Sequence, residues 1–266
     1  MNIKPILILT FIILLAASCS QAAPDAPTNN SLPTSPDQPA QLNGEVTPLK
    51  EAKLIIEHNA TDNDTGFQGF VDSEGWKSLV LTGPTGELLT INGQGELGKL
   101  GLTELFFETV EPANADVSIA EMLAVLPEGN YTIEGSAMEA GEGKGQLSGT
   151  AWLTHNIPAG PVLISPEEDA VVSVGDDLVV SWEPVTKTIN GSDVKIIAYQ
   201  LIIEKDGEQL PHMIGKIGLS MYLPASVTSI TVPGEFLESG SSYSWEVLAI
   251  EESGNQTLSS STFSTE

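Results

Sequence analysis

From residue 49 onward the chain is written almost wholly in short strand-like runs, and none of its apolar segments is long enough for a helix bundle. Residues 52–57 (AKLIIE) begin a β-rich stretch, and residues 76–81 (WKSLVL) continue it. A Gly-Pro-Thr-Gly turn at 83–86 leads from that second run into 88–91 (LLTI), which predicts a hairpin. Residues 131–135 and 147–153 flank a glycine-rich loop and predict another. One segment breaks the pattern. Ser118 followed three residues on by Glu121 is a capping box, and the apolar run after it stops at Pro127, so 118–126 reads as a short helix closing one end of a sandwich. Residues 49–156 are therefore expected to form a β-sandwich with a small helical insertion.

Residues 155–161 (HNIPAGP) have neither a helical nor a strand period and contain two prolines, which marks a short, stiff boundary between domains. Beyond it strands recur at the regular spacing of a sandwich. Residues 178–182 (LVVSW) alternate with Trp182 directed inward, residues 197–203 (IAYQLII) form another strand, and 244–250 (SWEVLAI) runs into a Glu-Ser-Gly-Asn turn. An early-strand Trp182, Tyr199-x-Leu201-x-Ile203, Leu237 six residues before Tyr243, and Tyr243-x-x-x-Val247-x-Ala249 stand in that order. This series resembles a fibronectin type III domain over residues 161–266. The resemblance implies that Tyr243 is a tyrosine corner with its hydroxyl bonded to backbone upstream. It implies architecture more than activity, and Glu251-Glu252-Ser253-Gly254-Asn255 stands where integrin-binding members carry Arg-Gly-Asp. The fold class expected is all-β: two tandem immunoglobulin-like β-sandwiches, the first with a short helical insertion, after a signal peptide and a disordered tether.

The N-terminal residues argue location. Lys4 supplies a positive n-region, residues 6–17 are apolar apart from Thr10, and Ala16-Ala17-Ser18 precede Cys19. Such a run is too short for a membrane span, which needs about 20 residues, and suits a signal peptide over 1–18. Small residues directly before a cysteine resemble the lipobox of bacterial lipoproteins, which implies lipidation of Cys19. Cys19 is the lone cysteine, so it has no partner for an internal disulfide. Ser20 stands where the family would carry aspartate for inner-membrane retention, which implies the outer membrane of a cell envelope. Residues 19–48 are then the lipidated cysteine and a proline-rich disordered tether, about 30 Å between ends when coiled and about 90 Å when extended.

Composition excludes one class of partner. Thirty-six acidic residues stand against ten lysines and no arginine, for a formal charge of −26. Such a chain repels phosphate backbones and lacks the forked donor that phosphate recognition favours, so nucleic acid is excluded as a partner.

Candidate sites are few. Asp62 and Asp64, two residues apart before Gly66, suit an oxygen-rich calcium loop, and Asp72 and Glu74 are further candidate ligands. The EF-hand spacing fails, because its fifth, sixth and twelfth positions would be Gly66, Phe67 and Ser73; a solvated turn explains the same residues. His58, His155 and His212 show no zinc spacing, although His58 and His155 lie near strand ends that could meet. No Gly-x-Ser-x-Gly elbow exists. Phe106 and Phe107 are neighbours on a strand and must face opposite sides, so one of them is a candidate for a partner-binding surface. No cofactor is expected apart from a possible calcium ion. The function expected is a lipid-anchored, non-catalytic binding or scaffolding module, attached to the membrane through its lipid and engaging an envelope protein or glycan. The alternatives are a calcium-stabilised adhesion-type module and a hydrolase with an unrecognised acidic site.

Overall fold

A computed structural model describes residues 46–138 and 145–266; the signal segment, Cys19 and most of the tether lie outside the described residues. The first part of the chain supplies β1 (Val46–Pro48), β2 (Glu51–Asn59), β3 (Asp64–Gly83), β4 (Gly86–Asn92), α1 (Gly95–Leu100), β5 (Leu102–Glu108), α2 (Ile119–Val125), β6 (Gly129–Ala137) and β7 (Gln146–Leu153). The second supplies β8 (Leu163–Ser165), β9 (Ala170–Val172), β10 (Leu178–Trp182), β11 (Ile196–Lys205), β12 (Gly218–Pro224), β13 (Ser229–Val232), β14 (Ser242–Glu251) and β15 (Gln256–Thr265). The architecture is all-β, as the alternating runs require.

The 20-residue β3 organises the first part. Its first half pairs antiparallel with β2 on one side and β5 on the other, and its second half pairs with β4 and β6. The register shifts between Asp72 and Trp76, so one strand bends from one layer into the next. Leu54, Ile56, Phe67, Trp76, Tyr131 and Leu153 meet between those layers as a core. Both expected hairpins form, as β3–β4 and β6–β7. The helix expected at 118–126 is α2, with Ser118 Oγ accepting the Glu121 N–H and the Glu121 carboxylate accepting the Ser118 N–H. Helix α1 was not expected, and its N-cap residue Gln94 makes no side-chain cap bond. Residues 46–48, expected in the tether, instead pair in parallel with β7.

In the second part β13, β10 and β8 form one sheet, and β12, β11, β14 and β15 lie in the other, with β9 alongside β15. Trp182, Tyr199, Leu201, Trp245, Val247 and Phe263 fill the space between them. Trp182 points inward, 1% exposed, and meets Tyr199 edge to face with ring centroids 5.4 Å apart. Tyr243 makes the expected corner: its hydroxyl oxygen accepts the Glu238 N–H at 2.8 Å.

The two parts share a sheet. β15 pairs in parallel with β2, matching Gln256 with Glu57, Thr257 with His58 and Leu258 with Asn59. The connecting segment is tied to this joint, since Thr257 Oγ1 donates to the Pro158 carbonyl at 2.6 Å and Asn255 Nδ2 donates to the Thr154 carbonyl at 2.9 Å. A loop of the second part reaches back: the Ile189 N–H donates to the Ile157 carbonyl at 3.0 Å, and Ile189 packs on the first core.

Candidate functional site

Strand alternation decides which side chains leave the first core at this joint. Ile56 and Phe67 are paired across β2 and β3 and face the core, so Glu57, Gly66 and Gln68 face the other way. Gln68 is paired with Glu108 of β5, and Glu57 with Gln256 of β15. On the second part the core takes Trp245 and Val247, which turns Glu246 to the opposite face, paired with Ser260. One continuous sheet therefore carries Glu108, Gln68, Glu57, Gln256 and Glu246 on a single face.

That face opens into a cleft of about 840 Å³. Asp62, Asp64, Glu108 and Glu111 contribute from the first part, and Glu168, Glu204, Asp206 and Glu246 from the second. Among the described residues these eight carboxylates are met by one lysine, Lys216, which lies 3.5 Å from Glu204. Glu57 lies beneath the lining and is fully buried.

The hydrogen bonds form a short relay of amides. The Gln256 amide donates to Glu57 Oε2 and, at 3.3 Å, to Gln68 Oε1. Gln68 Nε2 in turn donates to Glu108 Oε1 at 2.9 Å. Glu57 Oε1 is buried with no hydrogen-bond partner among the described residues. Burial, then the charges of Glu108 and Glu246, push the Glu57 carboxyl up to about 8, against the lowering effect of the amides. Burial and the neighbouring Glu57, Glu108 and Asp64 push Glu111 up to about 8. Glu246 rises to about 7, first through burial and then through Glu204 and Glu111. Asp64 is raised by burial and by Asp62. One carboxylate oxygen from each of Glu57, Glu108 and Glu111 lies within 4.8 Å of the others, a set that could hold a metal ion.

Of the four residues expected to make a calcium loop, Asp62 and Asp64 line this cleft. Asp72 is eight residues further along β3, about 26 Å at the rise of an extended strand, and is paired with Glu51. Glu74 forms an ion pair with Lys50 at 2.9 Å. The hairpin thus does not bring the four together, because an extended strand carries its residues apart where a tight loop would fold them inward. His58 and His155 do not meet either: the His58 Nδ1–H donates to the Asp64 carbonyl at 2.9 Å and to Thr65 Oγ1 at 3.0 Å, while His155 Nε2 lies 2.8 Å from the Leu126 carbonyl. Burial holds the His58 imidazole below its ordinary range.

Phe106 and Phe107 do face opposite sides. The Phe107 ring packs on the first core over Gly69, where any Cβ would lie 2.2 Å from it, and Phe106 shares the face of Glu108. Both are half-buried.

No protein-family model matches the chain, and no curated protein matches it. Among solved structures it is similar to the fibronectin type III domain of human collagen alpha-1(XX) chain, at 13% identity over 44% of this chain and 88% of that one, with a TM-score of 0.28. A two-domain fibronectin type III segment of chicken tenascin matches at 11% identity over 80% of this chain and 97% of that one, with a TM-score of 0.27. The FN1–FN3 domains of chicken CNTN1 match at 10% identity and a TM-score of 0.31, over 82% of this chain and 64% of that one, so the chain spans less than two thirds of that structure. Likenesses at such TM-scores carry no functional weight.

Proposed function

We propose that the chain is a non-catalytic binding module of the cell envelope, held at the outer membrane by a lipid on Cys19, and that its working surface is the acidic cleft at the joint. The observation that carries the reading is that both parts of the chain wall one cleft, with eight carboxylates and a single lysine among the described residues, on a sheet that the two parts share. Such a surface takes positive charge. The proline-rich tether then holds the cleft away from the lipid surface.

A glycan hydrolase draws on the same carboxylates. Its acid and its nucleophile or base need environments that push their pKa values apart. Here burial first, and neighbouring carboxylates second, raise Glu57, Glu111, Glu246 and Asp64 alike; all four move in the same direction, which favours binding over hydrolysis.

Titration of the full chain with a lysine-rich peptide at low salt tests the cleft. Asp62→Asn with Asp206→Asn should weaken binding several-fold, and the distant exposed pair Glu87→Gln with Glu96→Gln should leave it unchanged. Equal losses from both pairs would dismiss the cleft as the binding surface. For the anchor, Cys19→Ala should release the protein or leave it unprocessed; a processed form still fractionating with membranes would rule out the lipid.

A further inference from the structure

We propose that Glu57, Glu108 and Glu111 bind one hard divalent cation, of which calcium is the best match, at the floor of the cleft. The inference deepens the cleft reading and rests on it, by naming the positive charge nearest the joint.

Three independent features converge on an ion. The first is spacing. Carboxylate oxygens from all three residues lie within 4.8 Å of one another, and a calcium ion with bonds of 2.3–2.6 Å bridges oxygens up to about 5 Å apart. The second is an unmet bonding need. Glu57 Oε1 is fully buried and has no hydrogen-bond partner among the described residues, although Oε2 of the same group is held by Gln256. A buried carboxylate oxygen left without a partner is costly, and an ion seated among the three carboxylates supplies one.

The third is a supporting shell. Gln256 holds Glu57, Gln68 holds Glu108 through Oε1, and the two amides are bonded to each other, so one oxygen of each carboxylate is fixed while the other stays available. Ligating carboxylates are ordinarily positioned by such outer hydrogen bonds. Gly66 completes the arrangement. A side chain there would bring its Cβ within 2.6 Å of Glu111 Cγ, so the glycine leaves the space that Glu111 enters.

The donor chemistry selects the class of ion. All three donors are carboxylate oxygens, with no thiolate, and His58, next to Glu57 on β2, faces the other side of the strand. Oxygen-only sets suit calcium, magnesium or manganese over zinc or copper. Three monodentate protein ligands fill at most half of a calcium shell, so further positions remain for water or for an oxygen of a partner. The ion would also draw together two strands of the first part and, through Gln256, the last strand of the second.

The test is calorimetric titration of the chelator-stripped full chain with calcium chloride, with magnesium chloride in a parallel arm. Saturable uptake of one calcium ion per chain is expected, together with a raised melting temperature. Glu108→Gln and Glu111→Gln, both at the cleft surface, should weaken affinity at least tenfold, while Asp72→Asn should not change it. Absence of saturable uptake up to about 10 mM, ten times the weakest affinity of extracellular calcium modules, would overturn the proposal. So would uptake that Glu108→Gln and Glu111→Gln leave unaltered, or tighter binding of magnesium than calcium. If calcium fails while the lysine-rich peptide still binds in the cleft, the ion site falls and the cleft reading stands; if both fail, both fall.

Discussion

Asn255 Oδ1 accepts the backbone N–H of Ile56 at 2.9 Å across 199 residues of sequence. The same side chain donates to the Thr154 carbonyl at 2.9 Å and to the Asn156 carbonyl at 3.3 Å, so one buried amide ties β2, the turn before β15 and the connecting segment together. Asn255→Ala would strand a buried N–H and two carbonyls, and the cost of an unsatisfied buried group is about 1–3 kcal/mol. Urea unfolding should show a loss of at least this size, and a variant within 0.5 kcal/mol of the parent would mean that water replaces the amide freely.

Gly160 sets how closely the connecting segment approaches the joint. A Cβ there would lie 2.4 Å from the Ala60 Cβ and 2.8 Å from Ser259 Oγ. The entropy gained by replacing a glycine is about 0.4–1 kcal/mol, and overpacking costs about 1–3 kcal/mol, so the clash decides the sign. Gly160→Ala should lower the melting temperature, and Gly160→Val should lower it further.

Acid should stabilise the metal-free protein. Burial raises the Glu57 carboxyl from about 4.5 to about 8, so between those values the folded chain holds a proton that the unfolded chain has released. The stability this proton confers is complete below about pH 4.5 and is lost as the pH rises through about 8. The slope from Glu57 alone is about 1.4 kcal/mol per pH unit. Glu246, raised to about 7 by burial, adds in the same direction. Urea midpoints measured in chelator from pH 5 to 8.5 should therefore fall with pH, and Glu57→Gln should flatten the fall.

Tyr243→Phe removes the acceptor of the Glu238 N–H while keeping the ring stacked on Phe263, whose centroid is 5.1 Å away. A loss of about 1 kcal/mol is expected in equilibrium unfolding, with the fold retained.

Much of this architecture was legible because its causes are local. Ser118 and Glu121 cap α2 within a single turn, the 83–86 turn joins adjacent strands, and Trp182 and Tyr243 lie in alternating runs whose inward face the pattern dictates. The joint was not legible. Glu57 reads as the polar end of a strand, and only the docking of Gln256 from the far end of the sequence buries it. The same distance hid the cleft, since Glu108, Glu111 and Glu246 look like three more acids in a chain with thirty-six. A weak signal existed: Gly66 and Gly69 flank Gln68 on β3, and each leaves room for a side chain arriving from elsewhere. The four-residue acidic constellation at 62–74 misled because spacing along a sequence becomes distance once a strand is extended.

The parallel pairing of β2 with β15 also imposes an order in time. During synthesis Glu57 emerges early, and its neighbour on the open side of β2 follows 199 residues later. Until then β2 lacks the strand that covers this edge in the folded chain. The cleft is thus among the last features of the molecule to come into being, and a translation product halted before Gln256 would possess most of its strands yet no finished floor to the site.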